Sequence, residues 1–464
     1  MSRSSFAPKP RRSGRRLILF VPLAIAIALL LRVGQPPTIT IEPSLPAVGP
    51  STPVDVRLAV DDGRGLAAYE ITVHQGDRVL AMTQASLEPR PFWAFWGPKL
   101  AIDSTTLDVG RAHLGELQPG TVTVTVTAER AATPLRRPDP VVVSAELPVD
   151  LEAPTLSIRS DRPVVRQGGS GVIVYQVDDS AVGHGVRVGD HVFPGSPLPD
   201  QGAGIHFALY GAPHDLAADA RQTIQLFAED GIGNRVERPF LSRYDAFRFP
   251  KDTIRLSDGF FAEVLPEIFG RTPSLGAAGD DPLADYLRVN RELRRDNAET
   301  LAALAQDSAP DRLWSRPFLQ LPSSRVMAVY GDHRTYAYNG EGVDEQTHLG
   351  YDLASRRQAE VPSAATGRVV LADYHGIYGN TVVVDHGHGL QSLYSHLTDI
   401  TVTVGDAVER GTTVGTTGTT GLAGGDHLHF SVLIHGLFVD PIEWWDRRWI
   451  ETRIAGPLGF ELAR

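Results

Sequence analysis

The stretch "GGDHLHFSV", residues 424–432, sets His427 and His429 two apart at the head of an apolar run. On a β-strand, residues i and i+2 point to the same face, so two imidazoles would be aimed at one spot. Neutral imidazoles ligate divalent metals, and they exchange protons near neutral pH. The plain alternative is a surface strand that happens to carry two histidines, so the rest of a site has to come from elsewhere. "THLGYDLA" offers His348 and Asp352, and "LYSHLT" offers His396. The chain has 15 histidines, and company distinguishes these four. They come with a carboxylate at fixed distance, apolar strand context and glycine-rich turns that let backbones approach closely.

Zinc hydrolases commonly draw three protein ligands from His and Asp/Glu and keep a fourth position open. The metal lowers the pKa of water to about 7 and polarises a scissile carbonyl. Two neutral imidazoles and one carboxylate leave such a site with net positive charge, suited to a developing oxyanion. Two further histidines can then handle protons or hydrogen-bond a tetrahedral intermediate.

"HLGYD", "YSHL" and "HLHF", in this order, resemble the signature of the lysostaphin-type (LytM-like) zinc endopeptidases of bacterial cell walls. That pattern is H-x-x-x-D, then a histidine in a Y-x-H-L context, then H-x-H. The approach "VYGDHRTYAYNGEGVDEQTHLGYDLA", with Gly331 and Arg334, is similar too, as are "VPSAATGRVV", "YGNTVVVDHGHG" and "VGDAVERGTTVGTTGTTGLAGGDHLHF". The likeness covers about 320–442 and leaves the N-terminal two-thirds uncovered. It implies a Zn2+ cofactor on His348, Asp352 and His429. It implies that His427 binds or deprotonates the water, and that His396 stabilises the oxyanion or shuttles a proton. The implied activity is a zinc metalloendopeptidase cutting peptide bonds in peptidoglycan stems or cross-links. No matched position departs from the pattern. Two rival readings are a noncatalytic LytM-like activator of another wall hydrolase and a wall-binding scaffold.

Other candidates have a plainer expectation. "DHGHG" repeats the H-x-H spacing at His386 and His388, but its glycines predict a hairpin turn, where i and i+2 do not align reliably. A structural role is expected there. Tyr394 is expected to pack or hydrogen-bond near His396, and Asn380 to line the groove or hold a turn. His333, His375 and His435 are expected at the surface, with a place near the cleft as the alternative.

Strands must position these groups. From about Pro322 onward, "GRVVLADY", "NTVVVDHGHG", "LQSLYSHL" and "DITVTVGDAV" are short strands divided by glycine turns, an antiparallel β fold with almost no helix. Upstream, "TITI", "VDVRLAV", "YEITV" and "TVTVTVTA" alternate or run in β-branched residues. "PTITI" at Pro37 recurs as "PTLSI" at Pro154, and "VRLAVDD" ending at Asp62 recurs as "VIVYQVDD" ending at Asp179, both offset by 117 residues. The recurrence predicts two related immunoglobulin-like β-sandwich modules, for spacing or for docking a protein partner. "PFWAFWGP", residues 91–98, is expected to pack in a core or turn, with a sugar- or partner-binding patch as the alternative. "DDPLADYLRVNRELRRDNAETLAALAQ" reads as helix: Leu283, Tyr286, Leu287, Leu293, Leu301 and Leu304 recur near helical spacing, and Asp280 and Asp281 suit its start.

The expected fold class is therefore mainly β, in five parts. Residues 1–34 form a basic tail and membrane helix; 35–150 and 151–249 form β-sandwich modules; 250–320 form a helical linker; 321–455 form the lysostaphin-like peptidase domain. The anchor rests on "LILFVPLAIAIALLL", Leu17–Leu31, preceded by basic residues. The first 32 residues hold seven of the 44 Lys and Arg and no acid, which keeps the N-terminus in the cytoplasm. The expected location is single-pass in the cytoplasmic (inner) membrane, with the catalytic domain extracytoplasmic. The remainder sets 37 basic against 55 acidic residues, a formal net charge of −18, which argues against nucleic-acid binding. With no cysteine, disulfides and thiolate metal ligands are excluded.

Overall fold

A computed structural model describes residues 15–463 except 34, 61–63, 95–100 and 162. The basic tail before Arg15, the Asp62 end of the first repeat and the second half of the "PFWAFWGP" segment lie outside the described residues. The chain divides into two compact units, residues 1–153 with 230–234, and residues 154–229 with 235–464.

The first unit begins with the helix Arg15–Leu31. At 17 residues it is about 25 Å long, against the roughly 30 Å of hydrocarbon in a bilayer. No helix among the described residues is long and apolar enough to cross a membrane, so the expected membrane helix is not found there. At its C-terminal end the helical geometry stops at Leu31, just before Arg32. Val21, Leu23 and Ile25 nevertheless stand exposed on it. The β-rich remainder forms a four-stranded antiparallel sheet (Arg78–Ser86, Leu66–Gln75, Gly120–Arg130, Val141–Val149) and a three-stranded one (Thr38–Pro43, Pro53–Val60, Ala101–Asp108). "TVTVTVTA" shows why: Val122, Val124 and Val126 are fully buried, and the threonines between them face outward. Each such valine contributes roughly 1.5–3 kcal/mol over an exposed one. Both sheets share this core, since Val54, Val56 and Leu58 of the second sheet belong to it.

The second unit has one continuous apolar core running from Leu156 to Ile454. In the second copy of the repeat the leading strand Leu156–Ile158 is antiparallel to Ser170–Val177, as Thr38–Pro43 is to Pro53–Val60. The register differs: Ile39 faces Leu58, whereas Leu156 faces Val177 rather than Tyr175. A shift of two residues keeps the same side chains on the same face.

The site is carried by an eight-stranded antiparallel sheet. Its central strands Leu390–Leu397 and Leu428–Ile434 are buried at every residue, so both faces are covered. Helical segments follow after Pro441: Ile442–Trp445, then Arg447–Ile450 running on through the π-helical Glu451–Ala455 into Gly456–Leu458.

The stretch 250–307 is more than one linking helix. It starts with the strand Lys251–Arg255, which pairs in parallel with Asp332–Tyr338 and places Asp252 opposite Arg334. The helix Asp258–Arg271 comes next, N-capped by Ser257, whose Oγ accepts from the Phe260 amide. Pro282–Arg288 is capped by Asp281, as the sequence predicted, and passes through a π-helical turn, Val289–Leu293, into Arg294–Leu304. Asn297 docks this last helix: its Oδ1 accepts from the Ile377 amide at 3.0 Å, and its backbone carbonyl lies 3.1 Å from His375 Nε2. Gly376, at φ +53°, makes the approach possible, since a Cβ there would fall 2.3 Å from Asn297 Oδ1.

Candidate metal centre and cleft

His348 ends the strand Glu341–His348, and Asp352 lies in the next strand, Tyr351–Ala354. His429 lies in Leu428–Ile434 as the direct cross-strand partner of Asp352. The turn between His348 and Asp352 crosses the His429 ring, and residue 350 must be glycine there, because a Cβ would lie 2.7 Å from His429 Nε2. His348 Nε2, Asp352 Oδ1 and His429 Nδ1 consequently meet. Nε2 lies 2.9 Å from Oδ1 and 3.0 Å from Nδ1, and Nδ1 lies 3.0 Å from Oδ1. Among the described residues this is the group of three His, Asp or Glu side chains whose ligand atoms converge.

The outward nitrogens fix what points inward. His348 Nδ1 is 2.9 Å from the Val329 carbonyl, which can only accept, so the proton is on Nδ1 and Nε2 presents a lone pair. Ser431 Oγ donates to the Leu349 carbonyl at 2.8 Å, so it accepts from His429 Nε2–H at 3.0 Å, and His429 Nδ1 presents a lone pair too. Two lone pairs and a carboxylate oxygen thus face one another with no proton assigned between them. Burial pushes the His429 imidazole down to about 4, so it is neutral at neutral pH. For Asp352, burial pushes the carboxyl up, but His348, His427 and His429 outweigh it and hold it well below the usual carboxylate range. Its second oxygen accepts from Arg334 Nη2 at 3.1 Å. A tetrahedral zinc ion with bonds of about 2.0 Å spaces its ligand atoms about 3.3 Å apart, so this donor set fits the ion after a shift of a few tenths of an ångström.

Two more imidazoles border the trio. His427 Nε2 is 3.5 Å from Asp352 Oδ1, and its Nδ1 donates to the Gly425 carbonyl at 2.7 Å. Burial lowers its affinity for a proton, but the Asp352 carboxylate more than compensates, leaving the pKa raised. His396 is buried, with its ring centroid 4.9 Å from that of His427 and 5.9 Å from that of His429. Burial, with His427 and His429 adding to it, pushes its pKa well down.

A fault in the sheet brings His396 there. Tyr394 pairs with Val382 and Leu397 with Asn380, so Ser395 and His396 together oppose Thr381. This is a β-bulge, and His396 sits in it at φ +59°. In a regular strand His396 would share the face of Tyr394 and Phe430, opposite His429. The bulge turns the ring back, and three bonds hold the arrangement: His396 Nδ1 to the Thr420 carbonyl at 2.8 Å, and Asn380 Nδ2 to the carbonyls of Leu397 and Thr398 just beyond. Asn380 therefore holds a turn. Tyr394 packs edge-on against Phe430 and accepts from the Ala364 amide, on the other face from His396, which corrects the expected proximity.

The second H-x-H pair takes its expected structural role. His386 is fully buried and bonded at both nitrogens, to the Thr366 carbonyl and Ser392 Oγ, each at 2.8 Å. His388 turns toward Ser196, Nδ1 to Oγ 3.2 Å. His375 is buried rather than at the surface, stacked on Tyr378. His333 is partly exposed beside Thr347, and His435 packs against Phe193.

A cavity of about 420 Å³ opens onto the trio. Tyr378, whose ring lies 5.7 Å from His429, forms part of it, a residue that sequence reasoning missed because "GIYG" reads only as a turn. Ile254, Leu256, Phe260, Tyr286 and Arg294 supply another wall, all from the stretch expected to be a linker.

Residues 346–441 match the model of Peptidase family M23. The chain is 36% identical over 133 residues to the peptidoglycan DD-endopeptidase ShyB of Vibrio cholerae, 29% of this chain and 30% of that protein. It is 35% identical over 95 residues to the DD-carboxypeptidase/endopeptidase Mpg of Neisseria meningitidis, 20% of this chain and 22% of that protein. It is 37% identical over 112 residues to the murein hydrolase activator EnvC of Escherichia coli, 24% of this chain and 27% of that protein. The chain thus spans less than a third of each of these relatives. The part of the chain that carries all five histidine and aspartate positions of the site, residues 346–441, is a domain of Peptidase family M23.

Proposed function

We propose that the chain is a zinc-dependent endopeptidase acting on peptide bonds of bacterial peptidoglycan. The observation that carries this reading is the convergence of His348 Nε2, Asp352 Oδ1 and His429 Nδ1, each presenting an electron pair and none a proton. These three residues would hold the ion. Zinc, when bound, supplies a Lewis acid for the scissile carbonyl and for the attacking water. His427 and His396 each donate Nδ1–H to a backbone carbonyl and so turn Nε2 toward the cleft as a proton acceptor. His427 Nε2 lies nearest the carboxylate corner of the trio, so it takes the water's proton. His396, once protonated, donates to the developing oxyanion or passes a proton to the leaving amine. Arg334 fixes the Asp352 carboxylate through its second oxygen.

The location that goes with this substrate is extracytoplasmic, with the apolar N-terminal segment as a tether whose basic flank stays in the cytoplasm. In this reading the two β-rich regions are immunoglobulin-like spacers or docking modules. Similarity to a murein hydrolase activator favours a second reading, in which the chain stimulates another wall hydrolase. One experiment separates the two. The purified zinc-loaded chain is incubated alone with a cross-linked muropeptide dimer, and products are read by mass spectrometry. Cleavage that a chelator abolishes and zinc restores is expected. A zinc-loaded chain that releases nothing alone yet accelerates a second hydrolase would establish the activator reading instead.

A further inference from the structure

The arginines around the π-helical turn differ in one respect. Arg288 pairs with Asp285, Arg291 with Asp344, and Arg295 with Asp296 and Glu299. Arg294 is half-buried, lines the catalytic cleft and has no carboxylate partner among the described residues. Its partners are both on Asn290: Nε donates to the backbone carbonyl at 3.1 Å, and Nη2 to Oδ1 at 2.5 Å. Asn290 is fully buried, and its Nδ2 is fixed on Asp344 Oδ2 at 2.8 Å. The guanidinium is therefore aimed before anything binds, and three of its five N–H groups remain to be used. The other half-buried cation of the cleft, Arg334, is already taken by Asp332 and Asp352. A pre-oriented guanidinium with free donors is the side chain best matched to a carboxylate. Arg294 lies outside the M23 segment, so the helical stretch adds it to a cleft that the peptidase sheet begins.

We propose that Arg294 is an anion subsite that receives a free carboxylate of the peptide held in the cleft. The inference builds on the endopeptidase reading, which names a peptide as the occupant. A stem peptide offers this chemistry from two sources, its C-terminal carboxylate and a branch carboxylate of its γ-linked or diamino residues.

The test uses the full chain freed of metal, so that binding is read without turnover. Calorimetric titrations compare a stem tetrapeptide with versions amidated at the C-terminus or at each branch carboxylate. Wild type is expected to bind the free peptide about tenfold more tightly than one of the amidated versions, the magnitude of a charge-assisted hydrogen bond. Arg294→Gln is expected to lose that tenfold and to show no further loss on the same amidation, which identifies the carboxylate. Arg294→Lys, which keeps the charge, should retain part of the preference and guards against a Gln variant that fails to fold. Equal affinity for all peptides in wild type, no binding of any of them, or an equal loss by Arg294→Gln on every peptide would overturn the subsite. A zinc-loaded chain that cleaves nothing while the carboxylate preference persists would remove the endopeptidase reading and leave the subsite standing.

Discussion

One β-sheet carries two H-x-H pairs, and they have opposite fates. His427 and His429 keep an unshared nitrogen pointed at a common space, whereas His386 spends both nitrogens on the protein and His388 turns away to Ser196. The contrast lies in the backbone that bears each pair. His429 stands inside a regular strand, paired with Asp352, so its partner on the next strand is fixed by register. His388 sits at φ +54° in a turn between glycines, where alternation of faces lapses. Two identical spacings therefore become a pair that faces a common cleft or a structural pair, according to whether a strand runs through them and what its neighbour offers.

Substitutions can break this contrast or sharpen it. The largest effect is expected from His429→Ala, which removes a ligand: stoichiometric zinc should disappear from elemental analysis, and muropeptide cleavage should fall at least about a thousandfold. His427→Ala should keep the zinc and lose turnover by about a hundredfold or more. Loss of zinc from His427→Ala with retention in His429→Ala would mean that the two positions exchange roles. His386 should betray its different employment through pH. Burial depresses its pKa from 6.5 to about 4. The unfolded chain therefore binds the extra proton between these values, and stability falls as pH drops from about 6.5 toward 4. The full effect is about 3 kcal/mol, readable from urea midpoints of the metal-free protein. His386→Leu should flatten that part of the profile while leaving zinc bound; an unchanged profile would show that the ring titrates normally in the fold. The smallest effect is expected from Ser431→Ala, which frees His429 Nε2 from its acceptor: zinc affinity should weaken about tenfold in competition with a chromophoric chelator.

Alternation gave the shared face of His427 and His429 and the buried valines of "TVTVTVTA". The grouping of His348, Asp352 and His429 came from the resemblance of their motifs to the lysostaphin-type signature. His396 was legible as a residue but not as a geometry, since a bulge that reverses its facing leaves no mark on a two-residue period. Tyr394, two positions earlier, was misplaced for the same reason. The helical stretch was recognised by its 3.6-residue rhythm, with Asp281 as its cap, yet nothing in "VNRELRR" distinguishes the arginine that turns inward from the ones that pair on the surface. That depends on a π-helical turn and on docking through Asn297, both tertiary in origin. The apolar N-terminal run was read as helix from its composition, and the described part of it, Arg15–Leu31, is helical.

The left-handed backbone at His396 has an energetic corollary. Glycine or asparagine would occupy that conformation with less strain, by roughly 1 kcal/mol. The buried ring, packed on His427 and His429 and bonded to the Thr420 carbonyl, offsets that strain, so backbone and imidazole at position 396 depend on each other.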